Sequence, residues 1–410
     1  MTVYLDHAAT TPLRPEARAA WLAATEITGN ASSVHGSGQE ARRVLEDARE
    51  RIAAALDCDP IEVVLTSGGT EAINLALKGL WWSRGAGTAA VVLPDGEHHA
   101  TWDAVRWLES AQSAVIRPVP LDAFGAIGSA SFAAALPGAA LATALVANNE
   151  VGTVNDAAAL AAAAAEAGVP LHLDAVGAAG HLDVAFGRWR GRGAAPRGLV
   201  ALSVSGHKVG APVGTGALVV SRHARLTALV HGGGQQRGLR SGTQDVAGAA
   251  AFAAALEASV TERAAEAERL VALRRRLIDG IRRAVPEAEL LGDPDRRLPG
   301  NAHVHFPGAA GETLLFLLDQ RGISVSTGSA CQAGVTEPSH VVLALGRDER
   351  AARSVLRLTL GRTSSAADVA ALVAALPDAY ARADVAALVA ALPDAYARAV
   401  ASGARSAARS

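Results

Sequence analysis

The run Leu199-Val200-Ala201-Leu202-Ser203-Val204-Ser205-Gly206-His207-Lys208 reads as a buried strand that ends on an amine. Its opening is apolar, and the glycine-rich Gly210-Ala211-Pro212-Val213-Gly214-Thr215-Gly216 that follows breaks strand geometry. The lysine is unusual in this chain. Of 38 basic residues only two, Lys78 and Lys208, are lysines. An ε-amine can lose its proton and condense with a carbonyl, whereas a guanidinium stays charged and non-nucleophilic. Lys78 closes the helical run Glu71 to Leu77 before Gly79, where a cation suits a helix C-terminus. Lys208 has no such role and reads as a Schiff-base lysine.

Working outward, apolar strand candidates alternate with helical patterns through the first 260 residues. The strands are Val63–Thr66, Ala89–Leu93, Val115–Val119, Leu141–Ala147, Leu171–Asp174, Leu199–Val204 and Ala217–Val220. Between them lie helices such as Gln39–Leu56, with apolar residues at 41, 44, 45, 48, 52 and 56 forming one stripe. Continuous apolar strands separated by helices imply an α/β fold with a mostly parallel seven-stranded sheet covered on both faces. A long helix over Val246–Ala284 with one break leads to a smaller α+β region. Its strands are Asn301–Phe306, Gly322–Ser326 and Val355–Leu360. The expected division is a large domain over 15–260 and a small one from 1–14 with 261–382.

Half of the 410 residues are hydrophobic, mostly alanine, and the net charge of −2 gives no argument for nucleic acid or an anionic membrane; neither is expected as a partner. No apolar stretch reaches the roughly 18 residues of a membrane span. Met1 leads directly into strand-like Val3-Tyr4-Leu5 without a signal peptide, so a cytoplasmic protein is expected. Two cysteines, Cys58 and Cys331, offer no disulfide framework. Arg188-Trp189-Arg190-Gly191-Arg192-Gly193 reads as a flexible, solvated basic loop. At the C-terminus ADVAALVAALPDAYAR over 367–382 recurs unchanged over 383–398. Two copies are too few for a solenoid. One would complete the small domain and the other, within 383–410, would be a surplus helix, with Pro377 and Pro393 keeping the two apart.

Four segments supply what a pyridoxal phosphate (PLP) site needs. Thr66-Ser67-Gly68-Gly69-Thr70-Glu71 joins a strand to a helix, so Gly69 and Thr70 offer backbone N–H groups and a helix N-terminus to an anion. His172-Leu173-Asp174 ends a strand on a carboxylate that can keep a pyridine nitrogen protonated, unless Asp174 merely caps the next turn. Ser205 and His207 stand beside Lys208 as phosphate partners. Glu97-His98-His99-Ala100 follows a strand, and an imidazole there can stack on a cofactor ring.

These residues resemble the cysteine desulfurases, fold-type I PLP-dependent transferases of the class V aminotransferase group. The match runs from Tyr4-Leu5-Asp6-His7-Ala8-Ala9-Thr10-Thr11-Pro12 to Gly361-Arg362-Thr363. It takes in GNASSVHGSG (29–38), TSGGTEAINLA (66–76), NNEVGT (148–153), SGHK (205–208), GGGQQRGLRSGT (232–243) and STGSAC (326–331). The resemblance implies that Lys208 binds PLP and shuttles protons, Asp174 pairs with the pyridine nitrogen and His98 stacks on the ring. Asn149 would contact cofactor or substrate, and Gly69, Thr70, Ser205 and His207 would hold the phosphate. Thr243 would reach the phosphate of the neighbouring subunit, which implies a homodimer. Arg357 would take the carboxylate of L-cysteine.

Cys331 would be the catalytic thiol, on a loop of small residues over about 324–340 that suits movement. Its thiolate would attack the sulfur of PLP-bound cysteine, leaving L-alanine and a Cys331 persulfide. The loop resembles the long-loop group that serves iron–sulfur assembly. The implied acceptor is an iron–sulfur scaffold, with which Cys331 would share a transferred cluster, or a tRNA-thiolation protein. No intrinsic metal site is expected. Cys58 reads as a structural residue at a helix end.

Two departures stand out. Gly177 occupies the position where the group has glutamine, whose donor to the cofactor's phenolic oxygen would be replaced by water. Gln236 stands where glutamate is more common, and no consequence attaches to it. The same fold also serves selenocysteine lyases and aminotransferases, and a transaminase has no need of Cys331. A non-catalytic scaffold is a further alternative. A metal hydrolase built on His98, His99, His172 and Asp174 lacks any His-Glu-x-x-His spacing.

Overall fold

The computed structural model describes residues 2–191, 197–328, 331–332 and 335–384, with backbone alone for 331, 332, 335 and 336. Its centre is a seven-stranded sheet. The strand order is Val63–Thr66, Gly216–Val220, Gly198–Ser205, Pro170–Asp174, Ala139–Leu145, Ala90–Pro94 and Val115–Val119. Every pairing is parallel except those of Gly216–Val220, which runs antiparallel to both neighbours. The inner strands are buried throughout their length, as continuous apolar runs require when helices cover both faces. One apolar core lies on each side of the sheet.

A third core belongs to the smaller unit, built on the antiparallel strands Glu289–Leu291, Asn301–His305 and Val355–Thr359. Val3–Tyr4 pairs in parallel with Ile323–Ser324 and brings the N-terminus into this unit. The helix Val246–Ala284 joins the two regions. Its first half, including Phe252 and Leu256, packs beneath the large sheet, and Leu270, Leu277 and Ile281 pack in the smaller core.

Several expectations change. Val246–Ala284 is one helix of 39 residues without a break, since its polar middle is spanned by alanines of high helix propensity. The helix Gly69–Trp82 runs on through Gly79, so Lys78 does not end it; Lys78 Nζ lies 4.5 Å from the centre of the Trp107 ring. The basic segment is helical over Phe186–Arg190, with Arg188 paired to Asp183 at 2.7 Å and Arg190 to Glu62 at 2.6 Å. Residues 192–196 lie outside the described set. A helix spans 366–384 and passes through Pro377. Leu372, Leu376, Ala379 and Ala383, buried in the smaller core, hold it on both sides of the missing hydrogen bond. The first repeat copy thus fills this core, while nearly all of the second, from 385 on, lies outside the described residues.

Candidate active site

Parallel strands place their carboxyl ends along one edge of the sheet, where a crevice opens for ligands. Three such ends deliver functional groups here: Asp174 closes one strand, Ser205 another, and Glu97 and His98 follow Ala90–Pro94. Asp174, Ser205 and His98 line a cavity of about 440 Å³ with Gly69, Thr70, Asn149, His207, Lys208 and Arg357. Nine of the eleven residues expected at the site meet there. Thr243 is exposed and lies outside this cavity. The Cys331 side chain is not among the described ones; its backbone lies in a two-residue strand paired with Val335–Thr336.

Lys208 enters from a short 3-10 turn, Gly206–Lys208, straight after its strand. Its ammonium donates to the carbonyls of Ala8 and Ala9, so the N-terminal segment closes over it. Burial, with help from Arg357, lowers its pKa to about 8 against the pull of Asp6 and Asp174. A neutral, nucleophilic amine is therefore accessible near neutral pH.

Asp174 is 2% exposed, and burial raises its pKa to about 6. Its Oδ1 accepts from Val176 N at 2.9 Å and from Ser203 Oγ at 3.1 Å. Ser203 in turn meets His172 Nε2 at 3.1 Å, and His172 Nδ1 meets Thr143 Oγ1 at 2.9 Å. His172 therefore supports Asp174 through a buried chain across three strands. Among the described residues no group of three or more His, Cys, Asp and Glu is placed to hold a metal ion.

His98 caps the helix His99–Gln112, its Nδ1 accepting from Ala100 N at 3.1 Å. Burial and Lys208 lower its pKa to about 4, so it is neutral with the proton on Nε2. His207, lowered to about 4 mainly by burial, is neutral as well. Arg357 donates to Asp6 at 2.8 Å, to Asn149 O at 3.2 Å and to Ser326 Oγ at 3.3 Å.

The donor set fits PLP. At one end of the cavity the 14-residue helix Gly69–Trp82 presents its N-terminus, and Gly68 has φ 150°, a conformation that favours glycine. A Cβ on Gly69 would lie 2.6 Å from Val176 Cγ2, so only glycine lets that turn seat against the sheet. At the other end stand a buried carboxylate for a ring nitrogen, a neutral imidazole for stacking and an amine of lowered pKa. Gly177 borders the cavity, and a Cβ there would meet only Ala147 O at 3.4 Å, so the position is open to a larger side chain.

Comparison with known proteins now adds to this geometry. The aminotransferase class-V family model matches residues 3–372. The chain is 46% identical to an IscS-like cysteine desulfurase of Mycobacterium tuberculosis (strain ATCC 25618 / H37Rv), over 92% of this chain and 96% of that one. The chain belongs to the cysteine desulfurases of the class-V family. Among solved structures, a NifS-like protein superposes with a TM-score of 0.84 at 29% identity, covering 92% of this chain and 99% of its own. SspA in complex with cysteine superposes at 0.74 with 30% identity, covering 88% and 99%.

Other groups at this desulfurase site carry weaker sequence signals. Asp6, Glu97, Glu150, His181, Ser326 and His340 line the cavity or bond to residues that do. Glu97, fully buried with its pKa raised well above the carboxylate range by burial and then by Asp174, accepts from Leu145 N at 2.7 Å. Only its place beside His98 hinted at this. Gln236 also has a role: its Oε1 accepts from Arg49 at 3.0 Å and Leu65 N at 3.2 Å, and its Nε2 donates to Gln244 at 2.7 Å. A carboxylate lacks the donor that Gln244 receives. Cys58 fits its structural reading, its pKa pushed up to about 12 mainly by burial.

Proposed function

We propose that this cavity removes sulfur from L-cysteine and passes it to Cys331. The observation that carries the reading is the half-buried Lys208 amine, set at the sheet's carboxyl edge between Asp174 and Arg357. PLP, bound there, supplies an electron sink next to the substrate's α-carbon.

The residues of this chain do the rest. Gly69, Thr70, Ser205 and His207 would hold the PLP phosphate, Asp174 would keep the ring nitrogen protonated and His98 would stack against the ring. Arg357 would orient the substrate carboxylate. Lys208 would hold and move protons at its Nζ for the substrate's α- and β-carbons. The Cys331 thiolate attacks the substrate sulfur. An S–S bond forms as the Cβ–S bond breaks, its electron pair stays on carbon, and protonation there gives the methyl group of alanine. The persulfide then leaves for an iron–sulfur scaffold or a tRNA-thiolation protein.

The same reading places Thr243 at the phosphate of a second copy, in a homodimer. Within the chain Arg240 pairs with Glu71, next to Thr70, at 2.8 Å and holds the 232–243 segment beside the phosphate turn. We also divide the chain into a large domain over 15–260 and a small one formed by 1–14 and 261–382, with the cavity between them. Among the described residues no helix is long and apolar enough to cross a membrane, and we place the enzyme in the cytoplasm.

The test is direct. Purified protein supplied with PLP turns yellow, and L-cysteine with a thiol reductant yields alanine and sulfide in equal amounts. Without reductant the Cys331 peptide gains the mass of one sulfur atom. Cys331→Ser keeps the colour and loses sulfide release. A protein that stays colourless with PLP, or makes alanine equally well with Cys331→Ser, defeats the proposal.

A further inference from the structure

The NNEVGT segment offers Asn149 to the cavity, yet its next residue does something the mechanism leaves unused. Glu150 is 3% exposed, and its carboxylate accepts from Ser339 Oγ at 2.5 Å. Ser339, 1% exposed, caps the helix His340–Ala344 through Val342 N at 3.1 Å. The same Glu150 Oε2 also lies where Gly328 passes: a Cβ on Gly328 would sit 3.2 Å from it and 2.9 Å from His303 Cε1. Gly328 has φ 89°, so both its backbone and its surroundings demand glycine.

Gly328 and Ser339 bracket the segment that bears Cys331. One buried carboxylate thus bonds to the chain after the thiol and leaves room only for glycine before it. Its own placement is rigid. Asn148 Oδ1 accepts from Glu150 N at 2.9 Å and Val151 N at 3.0 Å, Asn148 Nδ2 donates to Gly96 O at 3.0 Å, and Asn301 Nδ2 donates to Glu150 O at 3.0 Å. His303 beside it is neutral, its pKa lowered to about 3 mainly by burial, so it leaves the Glu150–Ser339 bond without a competing cation. A second tie follows one residue on, where His340 Nε2 donates to Glu97 O at 2.9 Å, next to His98.

We propose that Glu150 is a positioning residue for sulfur transfer, clamping the Ser339 end of the Cys331 segment to the wall that holds the substrate and packing close to its Gly328 end. This rests on the desulfurase reading and deepens it. Glu150 also borders the cavity, but its carboxylate is taken up by Ser339, so the clamp acts on the approach of the thiol while Asn149 and Arg357 hold the substrate. Misplacing a reacting atom by about 1 Å can cost about a hundredfold in rate, so loosening the Ser339 anchor has a large effect on turnover.

The experiment compares Glu150→Ala, Glu150→Gln, Ser339→Ala and the Ala/Ala double variant of the holoenzyme. We expect Glu150→Ala and Ser339→Ala each to lower kcat and Cys331 persulfide loading by about tenfold or more. KM and the absorbance change on adding cysteine should stay within about twofold of wild type. Glu150→Gln, which keeps an acceptor, should stay within about threefold, and the double variant should be no slower than the slower single. In cofactor-free protein, a Glu-specific protease should cut after the exposed Glu337 several-fold faster in Glu150→Ala than in wild type or Glu150→Gln. Full turnover in Glu150→Ala, a parallel loss of the absorbance change, a glutamine variant as slow as alanine, or multiplying single effects overturns the clamp. If Glu150→Ala does not fold, Ser339→Ala at wild-type speed does the same. Wild type that makes no alanine sinks the desulfurase reading itself, and cleavage after Glu337 then decides the clamp alone.

Discussion

Arg357 Nη2 lies 2.8 Å from Asp6 Oδ1, an ion pair that ties the last strand of the smaller unit to the N-terminal segment over the cavity. The pair fixes one edge of the guanidinium, so the fork meets a substrate carboxylate already oriented. A charge-assisted hydrogen bond at a buried site contributes about 1.5–3 kcal/mol. Arg357→Ala should therefore raise KM for cysteine by about a hundredfold, and Asp6→Asn by a smaller factor, with colour retained in both. Steady-state kinetics decides this; unchanged KM in Arg357→Ala would move the carboxylate site elsewhere.

The Lys208 amine gives a pH signature. Only its neutral form attacks a carbonyl, and its pKa is lowered to about 8. Imine formation between cofactor-free protein and added PLP should rise with pH and level off above about pH 8. Arg357 lowers this pKa and Asp6 raises it. Arg357→Gln should accordingly shift the break upward and Asp6→Asn downward, followed by visible absorbance against pH.

How much of this site was legible follows from what each group depends on. Lys208, Asp174 and His98 could be read because each closes or follows a continuous apolar strand, and strand ends gather at one sheet edge whatever the register. The reversed direction of Gly216–Val220 could not, since apolar content carries no direction. Glu150 and Ser339 stand 189 positions apart and meet only through tertiary packing. Pro377 and the supposed break in Val246–Ala284 show the opposite error: at Pro377 a local breaker rule lost to burial on both sides, and in the long helix alanine propensity carried the chain through a polar middle.

Stability should fall on mild acidification. Burial lowers the pKa values of His172 and His303 to about 3. Between that value and the unfolded value near 6.5, the unfolded chain binds protons that the folded one refuses. Stability from these groups is full above about pH 6.5 and is lost as pH falls toward 3, by about 2 kcal/mol for each at about pH 5. Asp174, raised to about 6, works in the opposite sense between about 4 and 6 and offsets roughly half of one histidine. The urea midpoint should be lower at about pH 5 than at pH 7; an unchanged midpoint contradicts neutral buried imidazoles.

Gly177 offers a gain of function. With Ala147 O as the nearest obstacle at 3.4 Å, Gly177→Gln fits without displacing the backbone. It should tighten PLP binding and raise alanine formation several-fold, through one added hydrogen bond of about 1 kcal/mol. No gain in either measure would mean that the open position is already served by solvent.

The repeat permits a clean deletion. Removing 383–398 leaves the same polypeptide as removing 367–382, and Ala399 then takes the place of the buried Ala383. Melting temperature and activity should both be retained. In that single-copy chain Leu372→Ala should cost about 2–5 kcal/mol, since Leu372 is fully buried in the smaller core.

The scarcity of lysine has a practical side. One ε-ammonium lies against Trp107 and the other sits under the Ala8 and Ala9 carbonyls. Borohydride trapping or an acylating tag on intact protein therefore has only two side chains to choose between. A reporter attached at Lys78 would view the outside of the molecule, and a reduced adduct at Lys208 its interior, without any engineered handle.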